Sequence, residues 1–271
     1  MSAELKEQQL IEFISRFPSA IVAFSGGVDS SYLAFISHRV LGTKARAVTA
    51  ISPSVSEMQK SLALQFARNH GLNHEVIFTQ EMENPDYRKN PSNRCYFCKS
   101  ELYTFLQRLR QEWQIDAIFD GSNVDDVGDY RPGRQAAREE AVISPFVEAG
   151  LSKEEIRILS RNWGLSTWDL PAMPCLSSRF PYGVAITEEK LRQVERAEAF
   201  LRELGFNNFR VRHHEKLARV EIDRAEMIRI LEMDLLEKIH KELRSLGYQY
   251  VTLDMQGFRS GSLNELLELK V

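Results

Sequence analysis

The chain lacks the features that would tie it to a membrane, an oxidising compartment or a polyanion. No apolar run approaches the roughly 18 residues needed to span a bilayer. Three cysteines in 271 residues are too few for a disulfide framework. The formal net charge of −3 gives no basic excess, which argues against nucleic acid as a partner. The opening Met1-Ser2-Ala3-Glu4-Leu5-Lys6 reads as the start of an amphipathic helix and not as a secretory signal. There is no internal repeat and no low-complexity tract. The expectation is a soluble, cytoplasmic protein that handles a small molecule. Two well-known phosphate loops are missing as well: neither Gly-x-x-x-x-Gly-Lys-Ser/Thr nor Gly-x-Gly-x-x-Gly occurs.

What is present starts at Ile21. Ile21 to Phe24 is a continuous apolar run, as in a parallel strand covered on both faces. Ser25-Gly26-Gly27-Val28-Asp29-Ser30-Ser31 follows, and then a helical pattern (Tyr32, Leu33, Phe35, Ile36, Val40). Gly26 and Gly27 let the backbone turn tightly and let an anion come close. Ser25, Ser30 and Ser31 add hydroxyl donors, and the helix start adds amides and a positive dipole end. The stretch therefore reads as a phosphate loop. It has no lysine, and it sets a carboxylate, Asp29, beside the phosphates. That is repulsive unless a cation bridges them, so Asp29 points to Mg²⁺. The plainer alternative is an Asx-type cap on an ordinary strand–turn–helix.

A hydrophobic content of 43% supports one large core and a second, smaller one. A helix over 4–17 precedes the first strand. Arg46–Ile51, Glu75–Phe78, Ala117–Phe119 and Val142–Phe146 read as further strands, with helices over 55–70, 95–113 and 152–163 between or after them. Ser152 and Glu155 form a capping box for the last of these. The alternation predicts an α/β fold with a doubly wound parallel five-stranded sheet, whose ligand sits beyond the carboxyl ends of the strands. Beyond residue 185 the order changes to helix (187–204), two paired strands (209–212 and 218–222), helix (225–245) and strand (250–253). This predicts a smaller C-terminal α+β domain. The expected boundaries are 1–166, a linker loop over 167–185, and 186–271.

Three further segments carry candidate chemistry. Asp125, Arg131 and Arg134 follow the fourth strand; the acid suits Mg²⁺ or ribose hydroxyls, and the arginines suit phosphate or carboxylate. A solvated loop turning at Pro132-Gly133 is the alternative. Cys95-Tyr96-Phe97-Cys98 is half of a zinc site or a redox dithiol. Pro174-Cys175-Leu176-Ser177-Ser178-Arg179 places a lone cysteine beside hydroxyls and a guanidinium, a setting for a reactive thiol. His213 and His214 read as surface residues.

Ser25-Gly26-Gly27-Val28-Asp29-Ser30 resembles the PP-loop of the ATP pyrophosphatase superfamily, whose members bind ATP, adenylate an oxygen and release pyrophosphate. Cys175 to Gly183, Asp129 to Gly133 and Tyr250 to Gly261 resemble the LarE family, across nearly the whole chain. That resemblance implies an ATP-dependent sulfur transferase of nickel-pincer nucleotide cofactor biosynthesis, acting on pyridinium-3,5-biscarboxylic acid mononucleotide. The expected ligands are ATP and Mg²⁺ at Ser25, Gly26, Gly27, Asp29, Ser30 and Ser31. One form of the family sacrifices a cysteine, which Cys175 matches. Another holds a [4Fe–4S] cluster, for which Cys95, Cys98 and Cys175 would serve. Arg179 lies in the same motif. Arg210 and Arg212 resemble the arginines that bind substrate phosphate. Glu198 and Glu221 correspond to acids expected to hold a metal; the alternative for both is a solvated surface carboxylate. The resemblance also implies a homo-oligomer and an outside supplier of sulfide or another sulfur donor. The rival readings are a PP-loop tRNA thiolase or amidating synthetase, and a zinc-containing nucleotide-binding protein.

Overall fold

A computed structural model describes residues 2–127 and 132–259. The helices and strands in chain order are α1 (Ala3–Ser15), β1 (Ala20–Ala23), α2 (Val28–Leu41), β2 (Ala45–Ile51), α3 (Glu57–Asn69), β3 (Asn73–Phe78), α4 (Pro85–Arg88), α5 (Arg94–Glu112), β4 (Ala117–Phe119), α6 (Pro132–Glu139), α7 (Pro145–Glu148), α8 (Lys153–Asn162), α9 (Glu188–Glu203), β5 (Phe209–His214), β6 (Leu217–Ile222), α10 (Met227–Ile230), α11 (Met233–Ser245) and β7 (Tyr250–Leu253). They divide into two compact units. The first is Met1–Asn84 with Asn93–Met173; the second is Pro85–Ser92 with Pro174–Val271.

The first unit is an α/β fold around a parallel sheet in the order β3-β2-β1-β4. Side chains alternate across each strand, and both faces are covered. Val22, Ala47 and Phe119 enter a core shared with Leu10, Leu33, Phe66 and Leu159. Their neighbours Ile21, Val48 and Ile118 enter a second core with Tyr103, Leu106 and Ala136. This period of two with apolar residues on both sides makes the strands read as unbroken apolar runs. The chain leaves β1 towards β2 on one side, and β4 lies on the other, so the switch point of the sheet falls between β1 and β4.

The expected fifth strand over 142–146 is not formed. Ile143 makes one isolated parallel bridge to Phe119, with its N–H on the Ile118 carbonyl at 2.9 Å. Pro145 two residues on has no N–H to continue the ladder, and it opens α7 instead. The sheet therefore has four strands.

The second unit holds an α+β sheet in the order β5-β6-β7. β5 and β6 are antiparallel, pairing Arg210 with Glu221 and Arg212 with Arg219; β6 and β7 are parallel. Leu201, Val211, Val220, Ile239, Leu243 and Tyr248 form its core. The helix expected over 225–245 is split. Glu232 takes an extended backbone (φ −60°, ψ 125°) and starts α11 anew. Residues 85–92 join this unit through the loop that carries Cys175. Asn90 is fully buried at φ 53°. Its side-chain amide donates to the carbonyls of Phe180 (3.3 Å) and Pro181 (2.8 Å), and its own carbonyl accepts from Gly183 N at 2.9 Å. Tyr87 Oη and Ser177 Oγ lie 2.7 Å apart. Among the described residues, no helix is long and apolar enough to cross a membrane.

Candidate active site: a phosphate loop and a guanidinium-lined cysteine

The loop after β1 is set by two glycines. Gly26 has φ 76°, and a Cβ there would sit 2.9 Å from the backbone of Ala63 in α3. Both facts confine the position to glycine. Gly27 caps α2 through its backbone alone, with no side chain taking the first amides of the helix. Those amides and the dipole end form an anion site. Ser30 Oγ braces the turn: it receives Ser25 N at 3.2 Å, lies 3.0 Å from Ser25 Oγ and donates to the Gly27 carbonyl at 3.2 Å. Ser31 is fully buried with its hydroxyl unpartnered, which places it beneath the loop and not at its mouth.

The loop after β4 packs directly on this turn. A Cβ on Gly121 would come within 3.2 Å of Ser30 N and 3.3 Å of Asp29, so glycine permits the approach of the two loops across the switch point. Asn123 Nδ2 reaches Asp29 Oδ1 at 3.5 Å. Asp125 is exposed at its tip, and its carboxylate accepts the backbone N–H of Lys153 at 2.8 Å. The Lys153 ammonium lies against Asp29 Oδ2. Lys153, Asn123 and Gly121 have no mark in the sequence as members of this site. Lys153 lies 124 residues from Asp29, and only folding brings them together. Arg134 donates to the Asp126 carbonyl at 3.1 Å, which ties it to the end of the same loop. Arg131, with the Asp129-Tyr130 segment, lies outside the described residues.

In the second unit Cys175 is half-buried at the start of a short 3₁₀ turn, Leu176–Arg179. Arg179 folds back beneath it. One terminal nitrogen donates to the carbonyls of Pro174 (2.6 Å) and Cys175 (3.0 Å), while Nε and the other terminal nitrogen hold Glu198 at 2.9 and 2.8 Å. Glu198 also accepts Val211 N at 3.1 Å. Burial pushes the Glu198 carboxyl up, but the Arg179 guanidinium outweighs it and leaves the group below the usual carboxylate range. Arg212 donates to the Ser178 carbonyl at 2.9 Å and to Glu221 at 2.8 Å. Glu221 also takes Arg219 at 3.1 Å. Glu198 and Glu221 are 4% and 0% exposed, so neither is a solvated surface acid. Arg210 is half-buried over the Phe258 ring. Burial and the nearby Arg179 charge lower its pKa to about 10, and it stays protonated at neutral pH. Arg179, Arg210 and Arg212 thus form one cluster with Glu198 and Glu221, in which Arg179 and Arg212 are paired with the carboxylates.

Cys95 and Cys98 open α5 in the first unit. Three residues apart on a helix, they share a face; Cys95 is exposed and Cys98 half-buried. Among the described residues, no group of three or more His, Cys, Asp or Glu side chains is gathered to hold a metal ion. His213 is not the surface residue its polarity suggests. It is 2% exposed, packed between Phe180 and Tyr248 with ring centroids at 5.0 and 5.5 Å.

No family model matches the sequence. A curated relative does: pyridinium-3,5-bisthiocarboxylic acid mononucleotide synthase of Lactiplantibacillus plantarum is 34% identical over 97% of this chain and 95% of its own length. The chain belongs to the LarE family. It is an enzyme, a sulfur transferase. An uncharacterized protein of Synechocystis sp. is 46% identical over 97% of this chain and 98% of its own length. An uncharacterized protein of Methanocaldococcus jannaschii is 29% identical over 89% of this chain and 90% of its own length. The LarE resemblance drawn from Cys175 to Gly183, Asp129 to Gly133 and Tyr250 to Gly261 thus agrees with similarity along the full chain.

Proposed function

We propose that this LarE-family enzyme adenylates a carboxylate of pyridinium-3,5-biscarboxylic acid mononucleotide with ATP and replaces the activated oxygen by sulfur. A carboxylate is a poor electrophile because oxide is a poor leaving group. Its oxygen attacks the α-phosphorus of ATP, pyrophosphate departs, and the mixed anhydride carries AMP as a competent leaving group. Sulfur then adds at the carbonyl carbon and AMP leaves. The observation that carries this reading is the glycine turn after β1, which presents the uncapped amides of α2 beside an acid. Gly26, Gly27, Ser25 and Ser30 hold the phosphates; Ser31 supports the turn from below. Bound Mg²⁺, held by Asp29, would neutralise phosphate charge, with Asp125 and Arg134 at the rim of the same loop.

Arg210 and Arg212 bind the substrate's phosphate and carboxylate groups. Glu198 and Glu221 already serve as counter-charges that aim Arg179 and Arg212, and a metal at either acid would have to displace its arginine. Cys175 takes part in sulfur delivery, as a cluster ligand or as the sulfur source. The cysteines support one of two routes. None of the three occupies a core position, although cysteine is among the most buried residue types, so packing does not account for them. Cys95, Cys98 and Cys175 match in number the three cysteine ligands of a [4Fe–4S] cluster, which when bound would carry a transferable sulfide, although among the described residues no three such side chains are gathered. In the other route the Cys175 thiolate attacks the acyl adenylate and AMP leaves; loss of the Cα proton then breaks the Cβ–Sγ bond, giving the thiocarboxylate and dehydroalanine. An outside sulfur donor and a symmetric homo-oligomer belong to the same reading.

The test incubates anaerobically purified protein with ATP, Mg²⁺ and the dicarboxylated pyridinium mononucleotide. Pyrophosphate, AMP and a thiocarboxylate product are expected; no AMP release with this substrate overturns the proposal. Iron and sulfide in stoichiometric amounts support the cluster route. Dehydroalanine at Cys175 after one turnover supports the sacrificial route.

A further inference from the structure

We infer that Arg219 is a positioning residue of the substrate site. Through the carboxylate of Glu221 it fixes the direction in which Arg212 presents its guanidinium to the substrate's phosphate. The inference rests on the reading of Arg212 as a phosphate-binding residue and extends it to what aims that arginine.

The shared carboxylate is the first ground. Glu221 is fully buried. Arg212 Nη2 takes its Oε2 at 2.8 Å, and Arg219 Nη2 takes its Oε1 at 3.1 Å. The last torsion of a glutamate is soft, so a carboxylate held at one oxygen can still turn its plane. A second cation on the other oxygen stops that rotation. Oε2 then meets Arg212 from one direction, and Arg212 Nη1 reaches the Ser178 carbonyl at 2.9 Å, in the loop that carries Cys175.

Register is the second. Arg212 and Arg219 stand directly opposite each other on β5 and β6. Like charges in that relation destabilise a strand pair. Glu221 lies two residues along β6, on the same face as Arg219, and its two oxygens bridge the pair. The repulsion is thereby offset at the one carboxylate that aims Arg212.

The third ground is how Arg219 is mounted. Its Nε lies 3.5 Å from Asp254 Oδ2, and Arg259 reaches the other oxygen of that acid at 3.7 Å. Asp254 follows β7, and its N–H donates to the Val220 carbonyl at 2.8 Å, which ties it to the strand that carries Arg219. The Arg219 side chain is 32% exposed, against 6% for Arg212. It acts from the rim, and replacing it leaves the buried Arg212–Glu221 contact in place.

The experiment measures by calorimetry the affinity of the dicarboxylated pyridinium mononucleotide and of its nucleoside, which lacks the phosphate. Wild type should prefer the mononucleotide. In Arg219→Met that preference should shrink about tenfold, while the nucleoside and magnesium–ATP bind as in wild type. Arg219→Lys, which still offers Glu221 a cation, should restore the preference to within about threefold of wild type. A residue with only a structural role would weaken both ligands alike or neither, and either result overturns the inference. Asp254→Asn separates aiming from direct contact, and it decides alone should Arg219→Met not fold. It keeps an acceptor for the Gln256 N–H, which Asp254 Oδ1 takes at 2.8 Å, and it withdraws the charge that anchors Arg219. An arginine touching the phosphate would bind it more tightly once the neighbouring acid is neutral. An arginine that aims Arg212 loses its anchor, and the preference should fall about threefold; an equal or greater preference overturns the inference. Wild-type protein that binds mononucleotide and nucleoside equally overturns the reading of Arg212 itself.

Discussion

Arg179 and Glu198 meet side-on, two nitrogens to two oxygens at 2.9 and 2.8 Å, with both side chains almost wholly shielded from water. The remaining guanidinium nitrogen supports the backbone carbonyl of Cys175 at 3.0 Å. A helix in the core of the second unit is thus linked through one ion pair to the residue proposed to deliver sulfur.

Breaking that link by Glu198→Ala should cost about 3–5 kcal/mol, because Arg179 is left charged and buried without its partner. Urea unfolding of Glu198→Ala, Arg179→Met and the double variant should show a coupling above about 1 kcal/mol between the two sites. The double variant should not recover fully, since Val211 N also loses its acceptor. In Arg179→Met, AMP formation should persist while thiocarboxylate formation falls about tenfold or more as the cysteine loses its fixed placement. Equal loss of both steps would refute a role confined to Cys175.

The glycine turn permits a sharper comparison. Gly26→Ala adds a Cβ 2.9 Å from the Ala63 backbone at φ 76°, whereas Gly42→Ala, at φ 61°, meets nothing within 4 Å. Strain alone costs about 1–3 kcal/mol at either position, and only Gly26 adds the backbone clash. Gly26→Ala should therefore destabilise by more than Gly42→Ala and should also abolish ATP binding. Thermal melts and ATP titrations of the pair measure both effects. Equal melting shifts, or ATP binding retained by Gly26→Ala, would contradict the geometry.

The elements legible in the sequence are those written in local pattern. The run Ile21 to Phe24 and the glycines after it give a strand and a turn without help from distant residues. Ser152 and Glu155, three apart, give the start of α8. What was hidden depends on partners far along the chain. Val142 to Phe146 has a strand's composition, but Pro145 cannot donate to a ladder, and one bridge at Ile143 remains. Glu198 and Glu221 look like surface acids because nothing in their neighbourhoods announces Arg179 and Arg212. Adjacent strand histidines must face opposite ways; that the His213 side is closed follows from Phe180 and Tyr248, at a distance in sequence. Residues 85–92 read as loop between a strand and a helix, and their membership of the second unit goes with backbone contacts at Arg88 and Asn90 and side-chain contacts of Tyr87 and Asn90.

Asn90 tests that membership. It combines a left-handed backbone with two side-chain donations to buried carbonyls. Asn90→Gly keeps the backbone and loses the donors; Asn90→Ala loses both. The first should cost about 1–3 kcal/mol and the second about 1 kcal/mol more. Proteolysis should reach the 174–183 loop faster in both variants. An unchanged cleavage rate in Asn90→Ala would show that the loop is held by other contacts.

The last expectation concerns acid. His213 Nδ1 lies 3.1 Å from the Tyr248 hydroxyl, and Nε2 is buried without a partner. Burial, followed by the charge of Lys190, lowers its pKa from 6.5 to about 4; Glu215 opposes this and His214 adds to it. As pH falls, the unfolded chain takes up the proton near 6.5 and the folded protein only near 4. Between those values the unfolded state binds more protons, so stability declines with falling pH. The contribution is complete above 6.5, shrinks through the interval and levels off below 4. Carboxylates add their own slope at the acid end, so the difference from His213→Phe isolates the histidine. The urea midpoint of wild type should fall relative to that of His213→Phe as pH drops from neutrality towards the lower value. Parallel lines across the interval would mean that the imidazole ring is protonated in the fold as easily as in the unfolded chain.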